Sequence, residues 1–210
     1  MKYEAILFDL DGTLWDANES CTEGWNAVLE RLNYKDRIDV SGMNSVTGKS
    51  MDDCIDILLP GIRNKHPDIK DLLVISEKEA IERSGASIYP DVLKKTVELS
   101  NRCKVFIVSN CQEWYLKKFI EYSCLGPVLS GWDCYGSSKT EKHSMISTIK
   151  TKNNINTVVY IGDTLHDKES AESSNTDFIQ VTYGFGDPIE NALRFDSFNA
   201  LYIYLTSVSA

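Results

Sequence analysis

The chain has 210 residues, 42% hydrophobic and 25% charged, with a formal net charge of -9, a composition typical of a soluble globular protein and a length that suits one α/β domain with an insertion, or two small domains. An acidic chain without a basic stripe argues against a nucleic-acid partner, and if it handles an anionic substrate it needs a local cation. No run approaches the roughly 18 to 20 apolar residues of a membrane span, and no apolar stretch follows a basic start, so neither a membrane partner nor a secretory leader is expected.

Along the chain, Tyr3–Asp9 reads as a first strand and Gly12 as a turn. From Asp16 to about Gly85 the periodicity becomes helical: Trp25, Val28, Leu29 and Leu32 recur on one face, as do Met51, Cys54, Ile55, Leu58 and Leu59. A third segment, Ile69 to about Ser84, is charged with interspersed apolar positions. Trp15 and Trp25 are assigned to the core of this helical insertion. Ile88–Val92 marks the return to the first domain, followed by an amphipathic helix over Asp91–Asn101 and a strand over Lys104–Ser109. Trp114, Leu116, Phe119 and Ile120 predict another helix, Val128–Trp132 a short strand and Thr140–Lys150 a helix. Thr157–Ile161 is a third clear strand, followed by a helix around Asp167–Ser174 and a strand over Phe178–Thr182. The apolar tail, Phe198 to Val208, reads as a helix. Strands alternating with helices predict an α/β fold: a Rossmann-like parallel sheet with helices on both faces. The expected division is residues 1–15 and 86–210 as the α/β core, with 16–85 as an α-helical insertion.

Three of these strands end abruptly at polar residues: the first at Asp9 and Asp11, the second at Ser109 and Asn110, the third at Asp163 with Asp167 a helical turn beyond. Unbroken β-branched and aromatic runs are strands buried on both faces, and in open parallel sheets the ligand site lies beyond their carboxyl ends. Asp9 and Asp11, spaced i, i+2 after a strand, project to one side, where two carboxylates repel unless a cation sits between them. Four acids converging on one crevice point to a divalent cation with oxygen ligands, and Mg2+ fits that donor set.

The motifs DLDGTL (Asp9–Leu14), VSN (Val108–Asn110) and GDTLHD (Gly162–Asp167), in this order, resemble those of the haloacid dehalogenase-like hydrolase superfamily, in its phosphoglycolate phosphatase-like branch. The resemblance implies that the insertion is an α-helical cap. It also implies that Asp9 is the nucleophile, that Asp11 is the general acid and then base, and that Asp9, Asp11 and Asp163 hold Mg2+. Thr13, Ser109, Asn110 and a lysine would bind the phosphate, and Asp167 would orient waters or that lysine. The lysine is Lys142 or Lys139. Lys142 is favoured because it lies twenty residues before Gly162 and opens a helix. Where relatives often carry glycine after the proline of the return segment, this chain has Asp91. The expected activity is a phosphatase acting on a small phosphorylated metabolite. A phosphomutase similar to β-phosphoglucomutase and a catalytically idle binding module are the alternatives. A dehalogenase is disfavoured, since those relatives lack the second acid and Asp11 is present. Oligomeric state is not legible.

The six cysteines form no CxxC pair and match no zinc spacing. Free thiols and a reducing, cytoplasmic setting are expected. Gly48-Lys49-Ser50 imitates the end of a P-loop, but Met43 stands where the first glycine is required and no strand precedes it.

Overall fold

The computed structural model describes residues 1–207. It divides into two compact units, one formed by Met1–Trp15 with the chain from Ile88 onward, the other by Asp16–Ser87. In chain order, β1 (Ala5–Phe8) leads to the short β2 (Trp15–Asp16) and then to five helices. These are α1 (Asn18–Arg31), α2 (Val40–Val46), α3 (Met51–Leu58), α4 (Ile62–Lys65) and α5 (Ile69–Ser84). The chain returns through β3 (Ser87–Ile88), which pairs with β2, to α6 (Val92–Ser100), β4 (Lys104–Ser109) and α7 (Glu113–Ser123). Next come β5 (Gly131–Cys134), α8 (Tyr135–Ser138), α9 (Lys142–Lys152), β6 (Val158–Gly162) and α10 (Leu165–Ser173). The last elements are β7 (Asp177–Val181), β8 (Leu193–Phe195) and α11 (Phe198–Ser207). Val208, the end of the apolar tail pattern, lies outside the described residues.

The first unit is built on a six-stranded sheet in the order β5-β4-β1-β6-β7-β8, with each neighbouring pair parallel. The alternation of side chains along β1 explains why its whole run is apolar. Ala5 and Leu7 join Phe106, Val108 and Tyr160 in a cluster with Met145, Ile146 and Ile149 of α9 and Ala171 of α10. Phe8, one position on, turns to the opposite face and stacks on Phe198 of α11 at 5.6 Å between ring centroids. Both faces are therefore covered, as continuous hydrophobic strands require. The chain runs outward from β1 to β4 and β5, then crosses back to place β6 on the other side of β1. This reversal of strand order opens a crevice at the carboxyl ends of β4, β1 and β6.

The helical unit is held by α1 against α5. A Cβ at Gly24 of α1 would stand 2.7 Å from the backbone oxygen of Ser76 in α5, so only glycine lets the two helices approach this closely. Beside that contact, Trp25 Nε1 donates to Glu77 Oε1 at 2.5 Å in a buried pair.

Several elements differ from the sequence expectations. Trp15 belongs to the first unit, where its ring meets Tyr115 and Phe119 edge-on at 5.0 and 5.3 Å. The strand expected over Val128–Trp132 starts later, at Gly131, because Gly126–Val128 forms a single 3-10 turn around Pro127. Proline fixes φ and removes a ladder donor, which keeps that stretch out of the sheet. The short helices α2, α4 and α8 and the strand β8 carry too few periodic residues to be read from sequence. Asp91 has φ +66°, the left-handed conformation that glycine adopts without strain, which accounts for the glycine common in similar proteins.

Candidate active site

Asp9 follows β1 directly, and its backbone N–H donates to Ile161 O at 2.8 Å, extending the ladder that fixes β1 against β6. Its carboxylate is buried, and Oδ1 accepts from Lys142 Nζ at 3.0 Å, with Tyr160 Oη 3.4 Å away while that hydroxyl donates its one proton to Val108 O at 2.7 Å. Lys142 opens α9, is fully buried, and reaches Asp167 Oδ1 at 2.6 Å as well. The second oxygen of Asp167 accepts from the Thr164 amide at 3.0 Å and from Thr164 Oγ1 at 2.6 Å, as part of the capping box that starts α10. Both Asp167 oxygens are thus committed, one to the lysine and one to its own helix. Lys139, the other candidate, sits outside this group in a left-handed turn, 5.7 Å above the Tyr135 ring.

Asp163 lies at the end of β6 and is completely buried. Its Oδ2 accepts from the amides of Phe185 and Gly186 at 2.7 and 3.1 Å, while its Oδ1 has no hydrogen-bond partner. A buried carboxylate oxygen without a donor is costly unless something positive meets it. Among the described residues, Asp9, Asp163 and Asp167 each bring a carboxylate oxygen within 4.8 Å of the others. Hard oxygen donors, an orphaned lone pair and a local excess of negative charge together fit a divalent cation. Close packing reinforces the arrangement, since a Cβ at Gly12, which has φ +74°, would collide with the Asp163 carboxylate.

The electrostatics follow from burial and crowding. Removal from water raises the Asp9 carboxyl well above its usual value, and Asp167 and Asp163 add to this against the opposing pull of Lys142. Asp163 is raised to about 7, chiefly by burial and then by Asp167, with the Phe185 and Gly186 amides working the other way. Burial also opposes ionisation of Asp167, but the Lys142 ammonium and the hydrogen bonds from Lys142 and Thr164 outweigh it and hold this carboxyl below its ordinary value. Lys142 is destabilised as a cation by burial, yet the carboxylates of Asp167 and Asp9 keep it charged.

Of the other expected site residues, Asp11 is half-buried in the loop after β1, where Tyr115 Oη donates to its Oδ1 at 2.5 Å. Thr13 is fully buried in that loop, with no hydrogen-bond partner for its Oγ1. Ser109 ends β4 and its Oγ accepts from the Cys111 amide at 3.2 Å, with Asn110 beside it at the same strand end. All eight expected residues therefore lie in the first unit: Ser109 ends β4, Asp9, Asp11, Thr13, Asn110 and Asp163 follow the ends of β1, β4 and β6, and Lys142 and Asp167 stand on α9 and α10. Sequence reasoning passed over Tyr160, Tyr115, Thr164 and the Phe185–Gly186 amides. Tyr160 was hidden inside an apolar strand, and Tyr115 inside a helix read only for its apolar face. The glycines of Tyr183–Gly186 were the one available signal for the amides. None of the six cysteines forms a disulfide.

A model of the haloacid dehalogenase-like hydrolase family matches residues 6–181. The chain belongs to that family. It is similar along its length to a phosphoglycolate phosphatase from Colwellia psychrerythraea, 27% identical over 219 aligned positions, with 96% of each chain covered. A predicted phosphoglycolate phosphatase from Haemophilus somnus has the same fold, with a TM-score of 0.85 at 17% identity over 99% of both chains. So does a β-phosphoglucomutase from Clostridium difficile, with a TM-score of 0.77 at 20% identity over 97% of this chain and 96% of that one. Among the described residues, no helix of this haloacid dehalogenase-like protein is long and apolar enough to cross a membrane.

Proposed function

We propose that this hydrolase is a magnesium-dependent phosphatase that cleaves a small phosphorylated metabolite through an aspartyl-phosphate on Asp9. The observation that carries the reading is the buried, unpartnered Asp163 Oδ1 next to the Asp9 and Asp167 carboxylates, with Lys142 between the latter two. Asp9, Asp163 and the Asp11 backbone would hold Mg2+, which supplies neutralisation of the phosphoryl charge when bound. Asp167 has both oxygens engaged, and its role is to hold Lys142 against Asp9.

The residues then divide the chemistry. Lys142 holds Asp9 Oδ1, so Oδ2 is the oxygen that attacks phosphorus in line. The ester P–O bond breaks, and Asp11 protonates the departing alkoxide. Asp11 later takes a proton from the water that hydrolyses the acyl phosphate. Ser109 with Asn110 would grip the phosphate, together with the Thr13 hydroxyl, whose buried oxygen lacks a protein partner. The helical insertion, residues 16–85 by its sequence pattern, serves as the cap that sets which leaving groups are accepted. Full-length likeness to a phosphoglycolate phosphatase makes a small phosphorylated acid the first substrate to try.

The test is phosphate release from a panel of phosphoglycolate, sugar phosphates and nucleotides, with EDTA and then Mg2+ added. Release should stop with EDTA and return with Mg2+, and Asp9→Asn should lower turnover at least about a thousandfold without unfolding the protein. Turnover by Asp9→Asn within tenfold of wild type, or full activity after metal removal, overturns the reading.

A further inference from the structure

The loop that carries Asp11 is short, and a half-exposed aspartate there has several rotamers open to it, few of which face a leaving group. A buried phenol bears on that choice. Tyr115, on the first turn of α7 and 104 positions away in sequence, donates its phenol to Asp11 Oδ1 at 2.5 Å. The phenol is itself immobilised. Tyr115 is buried, with its ring edge-on to Trp15 at 5.0 Å and to Trp114 at 5.6 Å. Trp15 is in turn locked to the Asp11 loop, because its amide donates to Leu10 O at 3.2 Å and its carbonyl accepts from the Gly12 amide at 3.0 Å. Loop, indole and phenol are therefore packed together within the first unit, with the phenol's hydrogen bond on the Asp11 carboxylate.

We infer that Tyr115 is the positioning residue for Asp11, holding Oδ1 so that Oδ2 presents its proton to the oxygen leaving phosphorus. The inference rests on the phosphatase reading given above. In the step concerned, the Asp9 oxygen bonds to phosphorus while the ester P–O bond breaks. The electron pair leaves on the ester oxygen, and that oxygen takes the Asp11 proton, giving a neutral alcohol and the aspartyl-phosphate. A departing alkoxide is strongly basic and needs that proton. A nitrophenolate is stable as an anion and hardly needs it. Misplacing Asp11 should therefore harm alkyl substrates far more than aryl ones, a signature that a loss of packing does not produce.

The experiment compares single-turnover release of the alcohol from an alkyl phosphate and from p-nitrophenyl phosphate in wild type and Tyr115→Phe, which keeps the ring and removes only the hydroxyl. The alkyl rate should fall about tenfold or more and the aryl rate by no more than about threefold, with little change in KM. In an Asp11→Asn background, adding Tyr115→Phe should cost the alkyl rate almost nothing further, because the group it positions is already disabled. Equal losses on both substrates, no loss on either, or full additivity with Asp11→Asn overturns the role of Tyr115 while leaving the phosphatase reading intact. No release from either substrate by wild type overturns both.

Discussion

Two clusters in this molecule use the same ingredients and differ in where they stand. At the strand ends, Lys142 joins Asp9 and Asp167 at 3.0 and 2.6 Å, with the three side chains exposed by only 1, 2 and 0%. In the helical unit, Asp52 of α3 joins Arg63 of α4 and Lys70 of α5, both at 2.7 Å, but these side chains are 43, 34 and 39% exposed. Distances alone would rank the clusters as equals. Burial separates them, because charges withdrawn from water depend on each other for compensation, whereas exposed ones fall back on solvent and are screened by salt. The first cluster carries a desolvation cost that the second, ordinary surface electrostatics, does not.

The largest effect should come from removing the central cation of the buried cluster. Lys142→Met keeps much of the volume but leaves two carboxylates facing each other without a counter-charge, at a loss of about 3–5 kcal/mol in unfolding free energy. Chemical denaturation of the metal-free protein measures it. Combining Lys142→Met with Asp167→Leu should recover part of that loss, since the uncompensated charge then disappears. A loss below about 1 kcal/mol would put the buried cluster on the same footing as the exposed one and erase the contrast.

Much of this contrast was legible before any coordinates. β1, β6 and the Val105–Val108 run of β4 are apolar because both faces are covered, and a polar residue after such a run sits at its end. That is why Asp9, Ser109 and Asp163 stood out. Lys142 was harder, because nothing in the local pattern says that a lysine opening a polar-sided helix is buried; its spacing from Gly162 favoured it over Lys139. What stayed hidden is tertiary. Tyr160 reads as one more strand aromatic until its hydroxyl is seen donating to Val108 O beside Asp9. Tyr115 lies 104 positions from Asp11. The resemblance set Asp167 to orienting waters or the lysine, whereas its second engagement, by Thr164, is seen only in the fold. In the helical unit α1 and α3 follow from periodicity, α5 shows in the sequence only as a charged segment with interspersed apolar positions, and α2 and α4 are too short to show it.

The pH dependence of stability sharpens the comparison at intermediate size. Asp163 is raised to about 7 and Asp9 is raised too, so between an unfolded carboxyl near 4 and that folded value the native state binds more protons. Stability contributed by these groups is complete below the unfolded value and is lost as pH rises through the folded one. Asp167 has the opposite sign: its folded value is lowered, so its contribution is present above the unfolded value and is lost in acid. The metal-free protein should therefore be more stable at about pH 5 than at pH 8, by roughly 2 kcal/mol, or about 4–8 °C in Tm at this chain length. Asp163→Asn should shrink the difference, and Mg2+ should raise Tm most at pH 8, where the unpartnered carboxylate is ionised. A metal-free protein as stable at pH 8 as at pH 5, or a slope unchanged by Asp163→Asn, would contradict the crowded-acid account.

The smallest effect belongs to the exposed cluster, and it is the control for all the others. Asp52→Asn removes the charge that meets both Arg63 and Lys70, so it disables two ion pairs at once among α3, α4 and α5. Lys70, by its hydrogen bond, holds Asp52 below its ordinary value, helped by Arg63 against a modest desolvation. Even so, each partner regains water on losing the other, and Arg63 keeps a 2.9 Å pair with Asp56 and a hydrogen bond to the Asp52 backbone carbonyl at 3.0 Å. The expected loss is about 1 kcal/mol or less, and it should fade further in 1 M salt, where the screening length falls to ~3 Å. Denaturation of Asp52→Asn at low and high salt measures both quantities. A salt-independent loss above about 2 kcal/mol would mean that this network is desolvated in solution, and burial would no longer be what distinguishes the two clusters.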